Sequence, residues 1–467
     1  MRFLNYVLGI AVTTILATGC RKDDLQTNVQ PINVVVKASF ADEIKDYSFP
    51  LSQIKVLLKN TITGGELTVQ TDNNGIGIFS QVASGVYDAT ATLTLDKATY
   101  ENLTGETIDQ AEVHINAART NMTLNPNTNG TIELKLEMGR IGDWVFKQIY
   151  YAGSNGTNGS SFRDQFIEIY NNSNGVLYAD SLYFGQLQGN NTKYDNVDLT
   201  KTYYVNDATD ALHKQFDWSK SIGITPADAS AYKNYVYMKS LFRIPGTGKQ
   251  YPVQPGESII IAATAQNHKA PYAGVDGKPI EVKNPNLTVD LHDADFEVYL
   301  GDIISNPFNS DVDNGNITNV KVVATGGNRD MILDATGRDA YVLFKTDKSL
   351  PLYGDGTTAK GFGYYPDPTT TSISGSTEFF YQIPNNIIID AVQIQNPSPT
   401  ATQRVARKLA NGLDAGPTNV PDGQYTSESL IRKTAKTVAG RKILMDTNNS
   451  ANDFDFFLIA QPGGFKN

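Results

Sequence analysis

Apolar residues recur at every second position through much of this chain. Ile32, Val34, Val36, Ala38 and Phe40 fall on one side of an extended backbone, which predicts a half-buried strand. Ile54 to Leu58 is a β-rich run, and Leu67, Val69 and Thr71 alternate again. Asp72-Asn73-Asn74-Gly75 is a turn signal, because Asn and Gly accept positive φ readily. Ile76, Ile78, Phe79, the run Ala89 to Leu95, and Ile132, Leu134 and Leu136 extend the pattern. After the junction Met138-Gly139-Arg140-Ile141-Gly142-Asp143, a second series begins with Val145, Ile149 and Tyr151. It continues through Phe166–Asn172, Val176–Phe184, Ser258–Ala263, Tyr341–Phe344, Ile387–Val392 and Ser429–Lys433. One helix is expected, from Thr225 to Tyr237, with Thr225 as cap and Pro226 at the first helical position. The stretches 186–250 and 264–340 read as insertions. The prediction is an all-β chain in two units, residues 31–140 and 144–467.

The N-terminal segment predicts an address. Arg2 precedes a mostly apolar run, Phe3 to Ala17, too short for a flanked membrane span. Residues 1–19 therefore read as a signal peptide. Leu16-Ala17-Thr18-Gly19-Cys20 resembles a bacterial lipoprotein cleavage site, with Ala17 where a Leu is usual. That resemblance implies acylation of Cys20. Lys22, Asp23 and Asp24 resemble the export signal of surface lipoproteins in Bacteroidota, with 20–30 as tether. Stable anchoring needs more than one acyl chain, which a triacylated Cys supplies. The expected location is the outer membrane, lipid-anchored and facing the cell exterior.

Thr71-Asp72-Asn73-Asn74-Gly75, Phe79, Val82, Gly85 and Tyr87 resemble the carboxypeptidase-regulatory or transthyretin-like β-sandwich. Gly85 is expected to permit a tight turn, and Tyr87 to bury its ring while its hydroxyl reaches backbone. Phe166-Ile167-Glu168-Ile169-Tyr170-Asn171, Pro255-Gly256-Glu257, Ile389-Asp390-Ala391-Val392 and Asp446-Thr447-Asn448-Asn449-Ser450-Ala451-Asn452-Asp453-Phe454 resemble a lamin-tail-type sandwich. The implied fold is two immunoglobulin-like β-sandwich domains, the second with long loop insertions. Together with Ile149-Tyr150-Tyr151-Ala152-Gly153 and Asp164-Gln165, these features resemble the Bacteroidota lipoproteins called domain of unknown function 4876. That resemblance implies a fold and an address, but no chemistry.

Composition narrows the function classes. Of 467 residues, 49 are Asp or Glu and 39 are Lys or Arg, a formal −10, which argues against a nucleic-acid partner. A single Cys excludes an internal disulfide and a Cys-based zinc site, and four scattered His leave little for a His metal centre. Asp311-Val312-Asp313-Asn314-Gly315-Asn316 approaches a calcium loop, but Gly315 falls at position 5 instead of 6; an Asx-rich turn is the reading adopted. His292-Asp293-Ala294-Asp295 lacks a second ligand segment. Asp446, Asp453 and Asp455 read as loop structure, and Glu297 with Asp302 cannot be placed in space as a catalytic pair. No nucleophile elbow, zinc-protease helix or P-loop occurs, so no catalytic residue, cofactor or metal is assigned. Tyr-rich loops are the remaining candidates, with Tyr203, Tyr204, Tyr364 and Tyr365 as ligand contacts. The function expected is a non-catalytic binding accessory for nutrient capture, taking an extracellular ligand beside a TonB-dependent transporter. An adhesive or structural surface protein is the first alternative, an enzyme with an unrecognised site the second.

Overall fold

The computed structural model describes residues 31–41, 44–105, 112–127, 131–138, 143–173, 175–224, 230–348, 350–353, 362–396, 404–438 and 440–466. Cys20, Lys22, Asp23 and Asp24, with the signal and tether segments, lie outside the described residues. So do 139–142 of the junction.

The first unit is one seven-stranded sheet. Its strands are β1 (Ile32–Phe40), β2 (Lys55–Asn60), β3 (Glu66–Gln70), β4 (Ile76–Val82), β5 (Gly85–Asp96), β6 (Glu112–Leu124) and β7 (Thr131–Met138), in the order β3-β2-β5-β6-β7-β1-β4. All neighbours are antiparallel except β1 and β7. The sheet curls until its edges meet: a Cβ at Gly77 on β4 would sit 3.0 Å from Val69 on β3. The enclosed core holds Val34, Val36, Val56, Leu58, Phe79, Leu93, Ile115 and Leu134, which is the face that the alternation marks out. One helix, α1 (Lys97–Thr104), follows β5; Asp96 caps its N-terminus and Gly105, in the left-handed region, ends it.

The turn chemistry is local. Asp72 Oδ1 accepts from Asn74 N and Ile76 N, and Gly75 has φ +76°, where a Cβ would collide with Ala38 O. Tyr87 is buried and its hydroxyl donates to Ala83 O at 2.9 Å. Gly85 differs from expectation. It has no positive φ; a Cβ there would lie 2.7 Å from Asn60 Nδ2 and 3.2 Å from the Tyr87 ring, so close packing, not a turn, requires glycine.

The second unit is a sandwich of two seven-stranded sheets. One is ordered Thr318–Asn319, Phe296–Glu297, Ser258–Ala262, Phe166–Asn171, Trp144–Tyr150, Ser429–Arg432, Phe454–Phe457. The other runs Gly363–Tyr365, Phe380–Pro384, Tyr235–Arg243, Tyr183–Leu187, Ala340–Phe344, Ile388–Gln393, with Lys321–Thr325 also paired to Tyr235–Arg243. Between them lie Trp144, Phe146, Ile169, Phe184, Phe242, Ile261, Leu343, Val392 and Leu430. The outer face of the second sheet is covered too, with Leu409 and Leu413 packed on Met238, Val342 and Phe344. Strands buried on both faces lose their alternation.

Two expectations are corrected here. Residues 230–234 form a turn, in which Lys233 N and Asn234 N donate to Ser230 O, and Tyr235 opens a nine-residue strand; there is no helix over 230–237, and 225–229 lie outside the described residues. The stretches 186–250 and 264–340 are not loop insertions alone, because they supply the strands Tyr235–Arg243, Phe296–Glu297 and Lys321–Thr325.

Arg432 joins the two sheets. It is 1% exposed. Its Nε donates to Phe146 O at 2.8 Å, its Nη2 to Asp390 Oδ2 at 2.6 Å, and its Nη1 to Met445 O, Asp446 Oδ1 and Asp453 Oδ2 at 3.0–3.4 Å. Asp390 Oδ2 also receives Phe146 N at 2.6 Å. Asp453 further binds the N and Oγ1 of Thr447. Asp453 thus binds loop backbone, as read from sequence, while Asp446 pairs with Arg432 and Asp455 with Lys466. Arg432→Ala is expected to cost about 3–5 kcal/mol, the range for stranding buried charges. Chemical denaturation checks it; a loss below about 1 kcal/mol contradicts this role.

Asp164 is fully buried. Its Oδ2 accepts from Tyr150 OH at 3.3 Å, and Oδ1 has no hydrogen-bond partner. Burial pushes its carboxyl up to about 7. The folded state therefore holds a proton that the unfolded chain releases near 3.8. The resulting stability is complete below that value and is lost as pH rises through 7. Asp164→Asn should match the wild type near pH 4 and exceed it by about 2 kcal/mol or more at pH 8. Denaturant midpoints at both pH values are the check.

Candidate functional site

A cleft of about 390 Å³ opens between the two units, lined by Arg119, Thr120, Asn121, Met122, Thr123 and Leu124 on one side and by Tyr194, Ala208, His213 and Lys214 on the other. A bulge makes the first wall. Tyr87 pairs with Met122 and Ala89 with Arg119, so Thr120 and Asn121 together face Asp88. Asn121 takes a positive φ of 60°, and its N donates to Asp88 Oδ1 at 2.7 Å. Bulges turn side chains out of the pleat, and this one presents Arg119 to Asn121 to the cleft.

The opposite wall is held by Tyr194. Arg404 lies 4.1 Å and Lys214 Nζ 4.2 Å from the centre of its ring. Lys214 Nζ also donates to Tyr194 O, and Tyr194 N to Arg404 O. Lys214 itself has a positive φ of 69°. The His213 ring meets Tyr194 edge-on at 6.4 Å, and its buried Nδ1 has no hydrogen-bond partner. Burial, then the charge of Lys214, lowers its pKa from the ordinary value, so the ring is neutral at pH 7. Asp88, under the bulge, is pushed up to about 6 by burial, against the pull of Arg404 and Arg407. Deeper between the units, Asn411 Nδ2 donates to Ala118 O, Gly412 N to Glu137 Oε2 and Asn116 Nδ2 to Thr447 O. The site can hold a polar molecule by charged and neutral donors on one side and bulged backbone on the other.

None of the four tyrosines expected as ligand contacts lines this cleft; Tyr203, Tyr204 and Tyr365 gather in one aromatic cluster and Tyr364 lies apart. Tyr204 stacks on Phe216 at 5.9 Å, with Tyr203 edge-on to it at 4.7 Å. Tyr204 and Tyr365 are half-buried in a satellite cluster with Phe216, Trp218, Tyr237 and Phe380, where Trp218 lies on Tyr237 at 3.5 Å and 4°. Tyr364 points to the other face of its strand, 37% exposed, against Phe379 and Tyr381. Of the cleft residues, Arg119 and Lys214 carry no signal in the sequence; His213 counts there only among the four scattered His, and Tyr194 falls in the stretch 186–250 read as an insertion. Tyr194→Leu should cost about 1–2 kcal/mol by removing two cation–π contacts, measured by thermal unfolding; an unchanged transition would show that Lys214 and Arg404 are held without the ring.

Residues 254–458 match the family model described as protein of unknown function (DUF4876). A DUF4876 family protein from Bacteroides thetaiotaomicron, known as a crystal structure, is similar at 24% identity over 91% of this chain and 95% of that one, with a TM-score of 0.47. No curated protein matches the chain. The family matched at residues 254–458 is the one that the sequence motifs resemble.

Proposed function

We propose that this chain is a lipid-anchored protein of the outer membrane, facing the cell exterior, that binds a small polar ligand in the cleft between its two units. Its role is capture, beside a TonB-dependent transporter that takes the ligand inward, and it is not an enzyme. The binding half of this reading is carried by the cleft, whose volume of about 390 Å³ falls among small-molecule sites. The location is supported by Cys20 behind its small-residue run and by Lys22-Asp23-Asp24. The transporter follows from that location alone.

Both halves are testable apart. Cys20→Ala should release soluble protein, and replacing Lys22, Asp23 and Asp24 by Ala should keep the anchor but lose surface labelling on intact cells. For the cleft, a ligand is recovered by pull-down from growth medium, and its affinity is measured for Arg119→Ala combined with Lys214→Ala. We expect a loss of about tenfold or more, or ~1.4 kcal/mol, with the fold intact by circular dichroism. Unchanged affinity in that variant, with loss in Tyr364→Ala, would move the site to the exposed tyrosine surface.

A further inference from the structure

Three acidic side chains are buried together away from the cleft. Asp330 is 1% exposed, and neither of its carboxylate oxygens has a hydrogen-bond partner. It directly precedes Met331 and Leu333, which pack in the main core. Asp311 is also 1% exposed, and its Oδ2 accepts from Leu300 N at 3.0 Å. Main-chain bonds tie the two together: Phe308 N donates to Arg329 O, and Asp311 N to Phe308 O. Glu297 is fixed alongside, its Oε2 receiving Ala265 N and its Oε1 Asn314 N.

A carboxylate buried without a partner is costly and takes up either a proton or a cation. Burial raises all three groups, and the Asp311 charge raises Asp330 further. The neighbouring cation, Arg163, does not discharge the cluster. It forms no ion pair with Asp330; its Nη1 donates to Ser160 O, its Nε has no partner, and its guanidinium lies 5.4 Å from the Phe162 ring. His268 is buried and held neutral, its pKa lowered to about 4 by burial. Tyr272 donates its hydroxyl to Ser310 O, beside Asp311.

We propose that Asp311 and Asp330 hold one divalent cation of the calcium type, with Glu297 completing the negative field around it. The site is not an EF-hand loop. Asp313 is exposed and accepts from Asn319 Nδ2, while Asn314 Oδ1 accepts from Asn316 N in the Asx turn that the sequence predicts. Only Asp311 of that motif turns inward, and its partner comes from Asp330. Among the described residues no three His, Cys, Asp or Glu side chains form a ready-made metal cage. The remaining ligands are therefore main-chain carbonyls and water, which calcium accepts readily. The ion fastens 308–311 to 329–330 at one end of the sandwich.

The test uses the whole mature chain, stripped with EDTA, dialysed and titrated with calcium chloride. Metal analysis should find one calcium per chain, and the melting temperature should rise by about 5 °C or more. Asp330→Asn and Asp311→Asn should each lose both effects; either variant suffices if the other fails to fold. Wild-type protein that keeps no calcium and does not respond to it overturns the proposal. So does an Asp330→Asn variant that binds calcium as the wild type does. An unresponsive wild type, with Asp330→Asn more stable than it at pH 8, would assign the cluster to a shared proton instead.

Discussion

The second unit is organised around one buried positive charge. Arg432 has no water to solvate it, so each of its donors must find an acceptor inside the protein. Those acceptors come from Phe146, Asp390, Met445, Asp446 and Asp453, segments separated by up to 307 residues of chain. Trp144–Tyr150 and Ser429–Arg432 belong to one sheet and Ile388–Gln393 to the other. The guanidinium therefore sets how the sheets face each other at that edge. Apolar packing alone tolerates sliding; five directed bonds from one planar group do not. Asp390 reinforces this by also receiving Phe146 N, so the same carboxylate meets a main chain and a cation at once.

The legible parts of the fold were those with one wet face. β1, β2, β5 and β7 alternate because one side meets the core and the other meets water, and the motif around Asp72 and Gly75 announces its own turn. β6 escaped notice because its middle, Asn116-Ala117-Ala118-Arg119-Thr120-Asn121, is small and polar and carries a bulge. The helix expectation failed over 230–237 for a different reason. Ala and Tyr spacing there fits a helix, but Tyr235–Arg243 is paired on both sides and packed on both faces, and tertiary burial overrides such local preference. Calling 186–250 an insertion had the same origin, since strands covered on two faces lose the period that marks them.

The candidate site was less legible still. Its walls come from 119–124, 131–132, 194–214 and, behind them, 404–407, and no local pattern links these. Arg119 reaches the cleft because a bulge rotates it, and Lys214 because its backbone is left-handed. Neither conformation is encoded by a Gly, the residue that would have signalled it. Tyr density pointed instead to aromatic packing: Tyr204 and Tyr365 fill a small core around Trp218. In a chain this rich in Tyr, ring count reports on how loops are fastened as much as on what they bind.

That small core has a spectroscopic consequence. The chain has two tryptophans, Trp144 in the main core and Trp218 face to face with Tyr237, and both lie in the second unit. The first unit is lit only by tyrosine. Intrinsic tryptophan emission is therefore a reporter of the second unit alone, blind to the curled sheet before it. Tyr237, in van der Waals contact with Trp218, is placed to pass its excitation to the indole. A tryptophan-fluorescence signal assigned to the whole molecule in fact reports the second unit.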